Sequence, residues 1–438
     1  MFTMSVRDGI YGLLAAQEVT QPRLPHATGA FFQITELLKR TCEYLRTDVE
    51  PLKILGAGTN HTIVLTGADT DTDTPTLYGC GYNYYGQAGI PPQDGKTTLI
   101  TTPLQVRVPA VGGEETSPRP VKVSVGAAFS AVMTDDGGLY TFGCAWFGRL
   151  GHGDGDESPV YVPRRVTTLP RVKDVSCGGR HALLLTEDGR VWSFGLGVAG
   201  RLGHGDEQTQ REPRPIEGAW SSDVRPTSVS AGNNTSFVVD ATGGRTWSFG
   251  SGDAGVLGHG DRDDRLVPHE ITRLRAVAGR SAVTSISVGR AHVLFLLRSG
   301  RVWSCGIGRY GALGCGHAGS TTVPLPSEAS LRDVVQVAAG GAHSLFLTRR
   351  GEVKGCGSNA YGQLGLSRND YVSCRVYVPE YVVKSTGYAE TDVVAVDAGE
   401  HHSLLARRNG DVYSFGRGDD GQLGHGIRDH LFHVGKML

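Results

Sequence analysis

The sequence predicts an all-β protein, and specifically a β-propeller of seven four-stranded antiparallel blades. Three observations support this: a unit of about 50 residues recurs seven times, strand and hairpin signals fall at fixed places in each unit, and glycine is abundant. Glycine supplies 63 of the 438 residues, about twice the usual ~7%. The hydrophobic content of 39% suffices for a packed core and excludes wholesale disorder.

The repeat is clearest in two segments that align without a gap. Residues 178–206 read GGRHALLLTEDGRVWSFGLGVAGRLGHGD, and residues 399–426 read GEHHSLLARRNGDVYSFGRGDDGQLGHG. The seven copies start at Gly58, Gly126, Gly178, Gly232, Gly289, Gly340 and Gly399.

Each copy contains the signals of four short strands. An alternating apolar run leads into Gly-x-x-His, and an apolar strand such as 182–186 follows. A glycine turn at 187–189 joins it to an aromatic-bearing strand at 191–194, which is a hairpin signal. A run containing proline, such as 161–166, fits an outer edge strand. Seven such sheets packed radially bury faces that a single sheet would leave exposed.

The strings G-x-x-H-x-x-x-L-T-x-x-G-x-V-x-S-F-G and G-x-L-G-H-G resemble the regulator of chromosome condensation (RCC) repeat family, from Gly58 to Gly426. This resemblance implies a seven-bladed propeller of RCC type. We expect residues 51–438 to form it and residues 1–50 to be an N-terminal extension. Because the chain ends soon after the last Leu-Gly-His-Gly, we expect the extension to supply the missing strand of blade 7 and close the ring.

Overall charge and hydropathy exclude several function classes. Lys and Arg total 43 against 44 Asp and Glu, for a net charge of −1, and no basic run occurs, so we expect no direct nucleic-acid binding. No apolar run approaches the ~20 residues of a membrane span, so we expect no membrane insertion. We expect a monomer in the cytoplasm, because the cysteines show no disulfide or zinc-site spacing and fit a reducing compartment; nuclear and cytoskeleton-associated locations are the alternatives.

The residues that repeat favour structural roles over chemistry. Histidine fills the Gly-x-x-His position in five copies, but Phe129 and Thr235 replace it in two, which indicates a packing position. The Gly-x-Gly-x-x-Gly strings run into Leu-Gly-His-Gly rather than into the helix that a dinucleotide site needs. Cys80, Cys305 and Cys356 stand where other copies have phenylalanine, so we expect buried free thiols. We therefore predict no catalytic, cofactor or metal site, and no enzyme activity.

The residues that differ between copies are the better candidates for function, because loop variation gives a repeat scaffold its specificity. Exposed aromatic and arginine side chains are typical of binding hot spots; the alternative is that they shield the rim between blades. The candidate partner-binding residues are Tyr84, Tyr85, Trp146, Phe147, Arg180, Asp253, Arg290, Arg309, Tyr310, Asp419 and Asp420.

These observations favour a non-enzymatic protein–protein interaction platform. The family resemblance implies an alternative: a guanine-nucleotide exchange factor for a Ran-like or other small GTPase, which stabilises the nucleotide-free GTPase without bond chemistry. An adaptor in cytoskeletal, ciliary or ubiquitin pathways is a further alternative. A plant-type ultraviolet receptor is disfavoured, because residues 179–181 read Gly-Arg-His and lack the tryptophan of its repeated Gly-Trp-Arg-His-Thr motif.

Overall fold

The computed structural model describes residues 54–67, 75–92, 98–110, 117–218, 220–221, 223–242, 244–278, 281–328, 331–366, 374–382 and 392–438. These residues form seven separate four-stranded antiparallel sheets, arranged as the blades of a propeller. In each blade the strands run in chain order from A, nearest the axis, to D, at the outer edge. The predicted fold class is confirmed.

The strands of blades 1 and 2 are β1 (Leu55–Ala57), β2 (His61–Thr66), β3 (Thr76–Tyr82), β4 (Leu99–Val106), β5 (Pro120–Val125), β6 (Phe129–Thr134), β7 (Leu139–Gly143) and β8 (Val160–Arg165). Those of blades 3 and 4 are β9 (Val172–Cys177), β10 (His181–Thr186), β11 (Val191–Gly195), β12 (Gln210–Pro215), β13 (Ser228–Ala231), β14 (Thr235–Asp240), β15 (Arg245–Gly250) and β16 (Arg265–Glu270). One short α-helix, α1 (Thr272–Ala278), follows blade 4.

The strands of blades 5 and 6 are β17 (Val283–Val288), β18 (His292–Leu297), β19 (Val302–Gly306), β20 (Thr321–Pro326), β21 (Val334–Ala339), β22 (His343–Thr348), β23 (Val353–Ser358) and β24 (Arg375–Tyr381). Those of blade 7 are β25 (Val393–Ala398), β26 (His402–Arg407), β27 (Val412–Gly416) and β28 (Leu431–Lys436).

The core lies between neighbouring blades. Each residue of β10 is buried, because neighbouring blades cover both faces of a B strand, and this explains why B strands read as nearly unbroken apolar runs. Phe194 and Phe415 of the C strands are fully buried. Cys80, Cys305 and Cys356, in the equivalent places, are also buried free thiols, as the sequence predicted.

Blade 7 corrects one expectation. Its fourth strand is β28, from the C-terminal end of the chain, paired with β27, whereas we expected the N-terminal extension to supply it. Residues 1–50, including the expected closing strand, lie outside the described residues. Blade 7 meets blade 1 through backbone bonds from Glu400 N to Gly58 O (3.2 Å) and from Gly426 N to Thr101 O (2.8 Å). Among the described residues, the ring thus closes by packing of two complete blades.

Candidate partner-binding surface

The A–B loops, which carry the Gly-x-x-His motifs, form a hydrogen-bonded collar around the axis. Gly179 N donates to Gly232 O of the next blade at 3.0 Å, and Gly341 N donates to Gly399 O at 3.1 Å. The first glycine of the motif is required by this close approach: a Cβ on Gly178 would lie 2.3 Å from Gly232 O, inside any real contact distance. The collar therefore holds these loops rigidly.

The motif histidines bond from one blade to the next. In five places the imidazole Nε2 lies 2.8–3.0 Å from a hydroxyl of the following blade; the pairs are His61–Ser130, His181–Ser236, His292–Ser344, His343–Ser403 and His402–Thr62. Each hydroxyl donates in turn to a backbone carbonyl of the blade that holds the histidine, as Ser130 Oγ does to Gln87 O at 2.8 Å. Because the hydroxyl proton is used there, Nε2 must carry the imidazole proton and donate it.

Burial keeps these histidines neutral. It lowers the pKa of His61, His181, His343 and His402 to about 3 and that of His292 to about 4. The Leu-Gly-His-Gly histidines bond inside their own blade, as His204 Nε2 does to Ser193 Oγ at 2.9 Å, and burial lowers the pKa of His204 to about 4. Both sets are thus engaged in structural hydrogen bonds. Within the described ranges, no group of three or more His, Cys, Asp or Glu side chains is placed to hold a metal ion.

The eleven candidate residues share one end of the ring. In an antiparallel blade the A–B loop and the C–D loop emerge at the same end of the sheet, and all eleven lie in these loops. We call this end the top face. At its centre, a cavity of about 470 Å³ is lined by the A–B loops and by Arg290, Glu400 and Arg417. Arg290 Nη1 lies 2.7 Å from Glu400 Oε1, which links blade 5 to blade 7.

An aromatic patch, formed by Tyr82, Tyr84, Tyr85 and Trp146, crosses blades 1 and 2. Ring centroids are 6.3 Å apart for Tyr82–Tyr84, 5.0 Å for Tyr84–Tyr85 and 5.1 Å for Tyr85–Trp146. Tyr85 is half-buried and covers the junction between the blades, as the rim-shielding alternative expects, but Tyr84 stays 52% exposed and Trp146 43% exposed.

The other candidates form separate groups. Phe147 lies under Arg180, with Cζ 5.7 Å from the ring centroid, and Arg309 lies over Tyr310 at 5.8 Å. Asp419 and Asp420 pair with Arg417 at 2.8 and 3.7 Å. Asp253 is exposed at the start of a 3₁₀ turn in blade 4.

The structure adds residues that the sequence reasoning missed. Tyr82 closes the aromatic patch from the end of a strand, and Arg149 and Arg201 lie beside Arg180. A signal for the two arginines exists in the sequence: they fill the same place in Gly-Arg-Leu-Gly-His-Gly of two adjacent copies, where other copies have Gln, Val or Ala.

Comparisons with known proteins agree with this architecture. A family model described as regulator of chromosome condensation (RCC1) repeat matches residues 136–185, 188–239, 243–296, 299–347 and 350–406. The chain belongs to the RCC1 repeat family. A second RCC1 repeat model matches residues 172–201, 283–312, 334–363 and 393–422, so the family resemblance in the sequence is confirmed.

The proteins to which this RCC1-family chain is similar include a ubiquitin ligase and a light receptor. It is 33% identical over 361 residues to the human E3 ubiquitin-protein ligase HERC2, a match that covers 81% of the chain but 7% of HERC2. It is 29% identical over 377 residues to the Arabidopsis thaliana ultraviolet-B receptor UVR8, covering 85% of the chain and 78% of UVR8. The solved structure of Prp20p from Saccharomyces cerevisiae superposes with a TM-score of 0.71 at 18% identity, covering 91% and 89% of the two chains, and this likeness shows the fold.

No helix in the described part of this RCC1-family chain is long and apolar enough to cross a bilayer.

Proposed function

We propose that the chain is a non-enzymatic protein-interaction platform that binds partner proteins through its top face, mainly through the aromatic patch. The observation that carries this proposal is that Tyr84 and Trp146 stay exposed within a packed row of rings. Large exposed aromatic side chains are the residues that most often dominate binding energy at protein interfaces.

The scaffold beneath the patch favours binding because it is already ordered. Tyr161 of blade 2 donates its hydroxyl proton to Tyr84 O at 2.9 Å, Tyr85 N donates to Gln87 Oε1 at 3.0 Å, and Asn83 Nδ2 donates to Ile90 O at 2.7 Å. Loops held in this way lose little conformational entropy when a partner binds.

Proximity labelling in the source organism tests the proposal by comparing the wild type with the double variant Tyr84→Ala/Trp146→Ala. The matched control is Tyr381→Ala, which removes an aromatic side chain that is 43% exposed on the outer strand of blade 6. We expect the patch variant to lose a defined set of neighbouring proteins that the control keeps. An unchanged set in the patch variant, at equal protein level, refutes the role of the patch. The labelled compartment also tests the predicted cytoplasmic location.

Guanine-nucleotide exchange is the second candidate, favoured by the fold shared with Prp20p, whose binding to Gsp1p and to histones has been described. The test is nucleotide release from a Ran-like GTPase loaded with a fluorescent guanine nucleotide. Release unchanged by micromolar protein removes exchange activity for that GTPase and leaves the platform proposal in place.

A role as an adaptor in a ubiquitin pathway is favoured by the 33% identity to HERC2. The chain spans 7% of that protein, so the ligase activity itself is not part of the proposal. Ubiquitin-pathway proteins in the set lost by the patch variant would support this role, whereas cytoskeletal or ciliary proteins would favour the other adaptor roles.

A further inference from the structure

Three arginines meet on the top face beside the aromatic patch, and we call them the arginine cluster: Arg149 of blade 2 and Arg180 and Arg201 of blade 3. Arg149 and Arg201 hold their guanidinium groups in the same way, since each Nε donates to the backbone carbonyl three residues earlier, at 2.9 Å to Trp146 O and 2.8 Å to Val198 O. Arg180 comes from the A–B loop of blade 3 and is exposed.

The cluster concentrates positive charge at a site that is largely shielded from solvent. Arg149 and Arg201 are each only 4% exposed, and burial, together with the charge of Arg180, lowers the pKa of both, for Arg201 to about 10. The Phe147 ring lies against two of the groups, with its centroid 5.7 Å from the Cζ atoms of both Arg149 and Arg180. An aromatic face beside a guanidinium favours the charged form but does not neutralise it.

Three carboxylates partly offset the charge of the cluster from beyond ion-pair distance, Glu157 at Arg149 and Glu207 and Asp264 at Arg201, and each also has another partner. Glu157 pairs with Arg211 at 3.4 Å, Glu207 Oε1 accepts from Ala199 N at 2.6 Å, and Asp264 Oδ1 accepts from Gly252 N at 2.8 Å. In the described portion of the chain, none of the three arginines forms an ion pair with a carboxylate. Buried guanidinium groups are normally paired with a carboxylate, and in this cluster that partner is missing among the described residues.

We propose that the arginine cluster binds an acidic segment of a partner protein: exposed Arg180 contacts its carboxylate, Arg149 and Arg201 add their positive charge from their buried positions, and an aromatic side chain of the segment packs on Phe147 and Trp146. This inference rests on the proposed platform function and names the chemistry of its partner. A guanidinium fork suits a carboxylate because it donates two parallel hydrogen bonds. A protein segment is favoured over a nucleic-acid backbone, because the chain has a net charge of −1 and therefore lacks the broad positive field that attracts an extended row of phosphates.

Fluorescence anisotropy with the purified full chain tests the inference. The probes are a labelled peptide Asp-Glu-Trp-Asp-Glu, the matched amide peptide Asn-Gln-Trp-Asn-Gln, and a single-stranded thymidine 20-mer. We expect the acidic peptide to bind at least about tenfold more tightly than the amide peptide, as charge-assisted bonds require. We expect Arg180→Gln to weaken acidic-peptide binding by about tenfold, and Arg180→Lys to weaken it less, because Lys keeps the charge without the fork.

The control variant is Arg190→Gln, which removes an arginine from the opposite end of the same blade, where it pairs with Asp188 at 3.6 Å; its affinity should equal that of the wild type. Equal affinities for the two peptides, unchanged binding in Arg180→Gln, no binding at about 1 mM, or DNA bound as tightly as the acidic peptide would each overturn the inference. If proximity labelling still shows loss of neighbours in Tyr84→Ala/Trp146→Ala, the platform proposal survives that failure. If the patch variant loses none, the platform proposal fails instead.

Discussion

Because each motif histidine is hydrogen-bonded to the next blade, we expect Ser130→Ala to lower the free energy of unfolding substantially. Ser130 Oγ accepts from His61 Nε2 at 2.9 Å and donates to Gln87 O at 2.8 Å, and both Ser130 and His61 are fully buried. The substitution leaves a buried donor and a buried acceptor without partners, so we expect a loss of about 2 kcal/mol in the free energy of unfolding.

The chain itself offers the compensating change. Where Phe129 replaces histidine, the next blade has Ala182 in place of the hydroxyl; where Thr235 replaces it, the next blade has Val293. The double variant His61→Phe/Ser130→Ala recreates the Phe129–Ala182 pair between blades 1 and 2. We expect His61→Phe alone to cost about 1 kcal/mol and the double variant to cost no more than that, a coupling energy of about 2 kcal/mol.

Equilibrium urea unfolding, followed by tryptophan fluorescence, measures the free energy of unfolding of the wild type, the two single variants and the double variant. Their midpoints can be compared if the free energy of unfolding falls with urea concentration at the same slope in all four. If the two single costs simply add in the double variant, within about 0.5 kcal/mol, the histidine and the hydroxyl do not act as a pair. The proposed reason for their joint occurrence would then be wrong.

Two further predictions concern pH and the collar. The five motif histidines have pKa values of about 3 or 4 when folded, below the unfolded value of about 6.5. Their stabilisation is therefore full above pH 6.5 and lost on acidification, by about 1.4 kcal/mol per histidine per pH unit; melting temperatures that stay level from pH 7 to 5.5 would contradict this. Gly178→Ala should destabilise by about 3 kcal/mol or more, as overpacking does, because its Cβ would meet Gly232 O at 2.3 Å. Gly189→Ala, with open space but a φ of 81°, should cost about 1–2 kcal/mol, so equal urea midpoints for the two variants would refute the role of the collar.

Several features of this protein were readable from the sequence. The seven repeat starts and the hairpins predicted the blades, because strand alternation and glycine turns are encoded over a few residues. The phase of Cys80, Cys305 and Cys356 predicted their burial. The pairing of histidine with a hydroxyl in the next copy is also present in the sequence, but it was not predicted, because it joins residues as far apart as His402 and Thr62.

The repeat, the strand signals and the variable loops between them could be read from the residues alone. Which loops meet depends on the folded ring: Tyr85 packs on Trp146, Arg180 lies beside Arg149, and Arg290 pairs with Glu400, 110 positions later in the chain. The folded ring also shows that β28 completes blade 7. Strands form from short-range preferences, whereas contacts between loops depend on how closed blades pack against one another and on the rotamers that this packing allows.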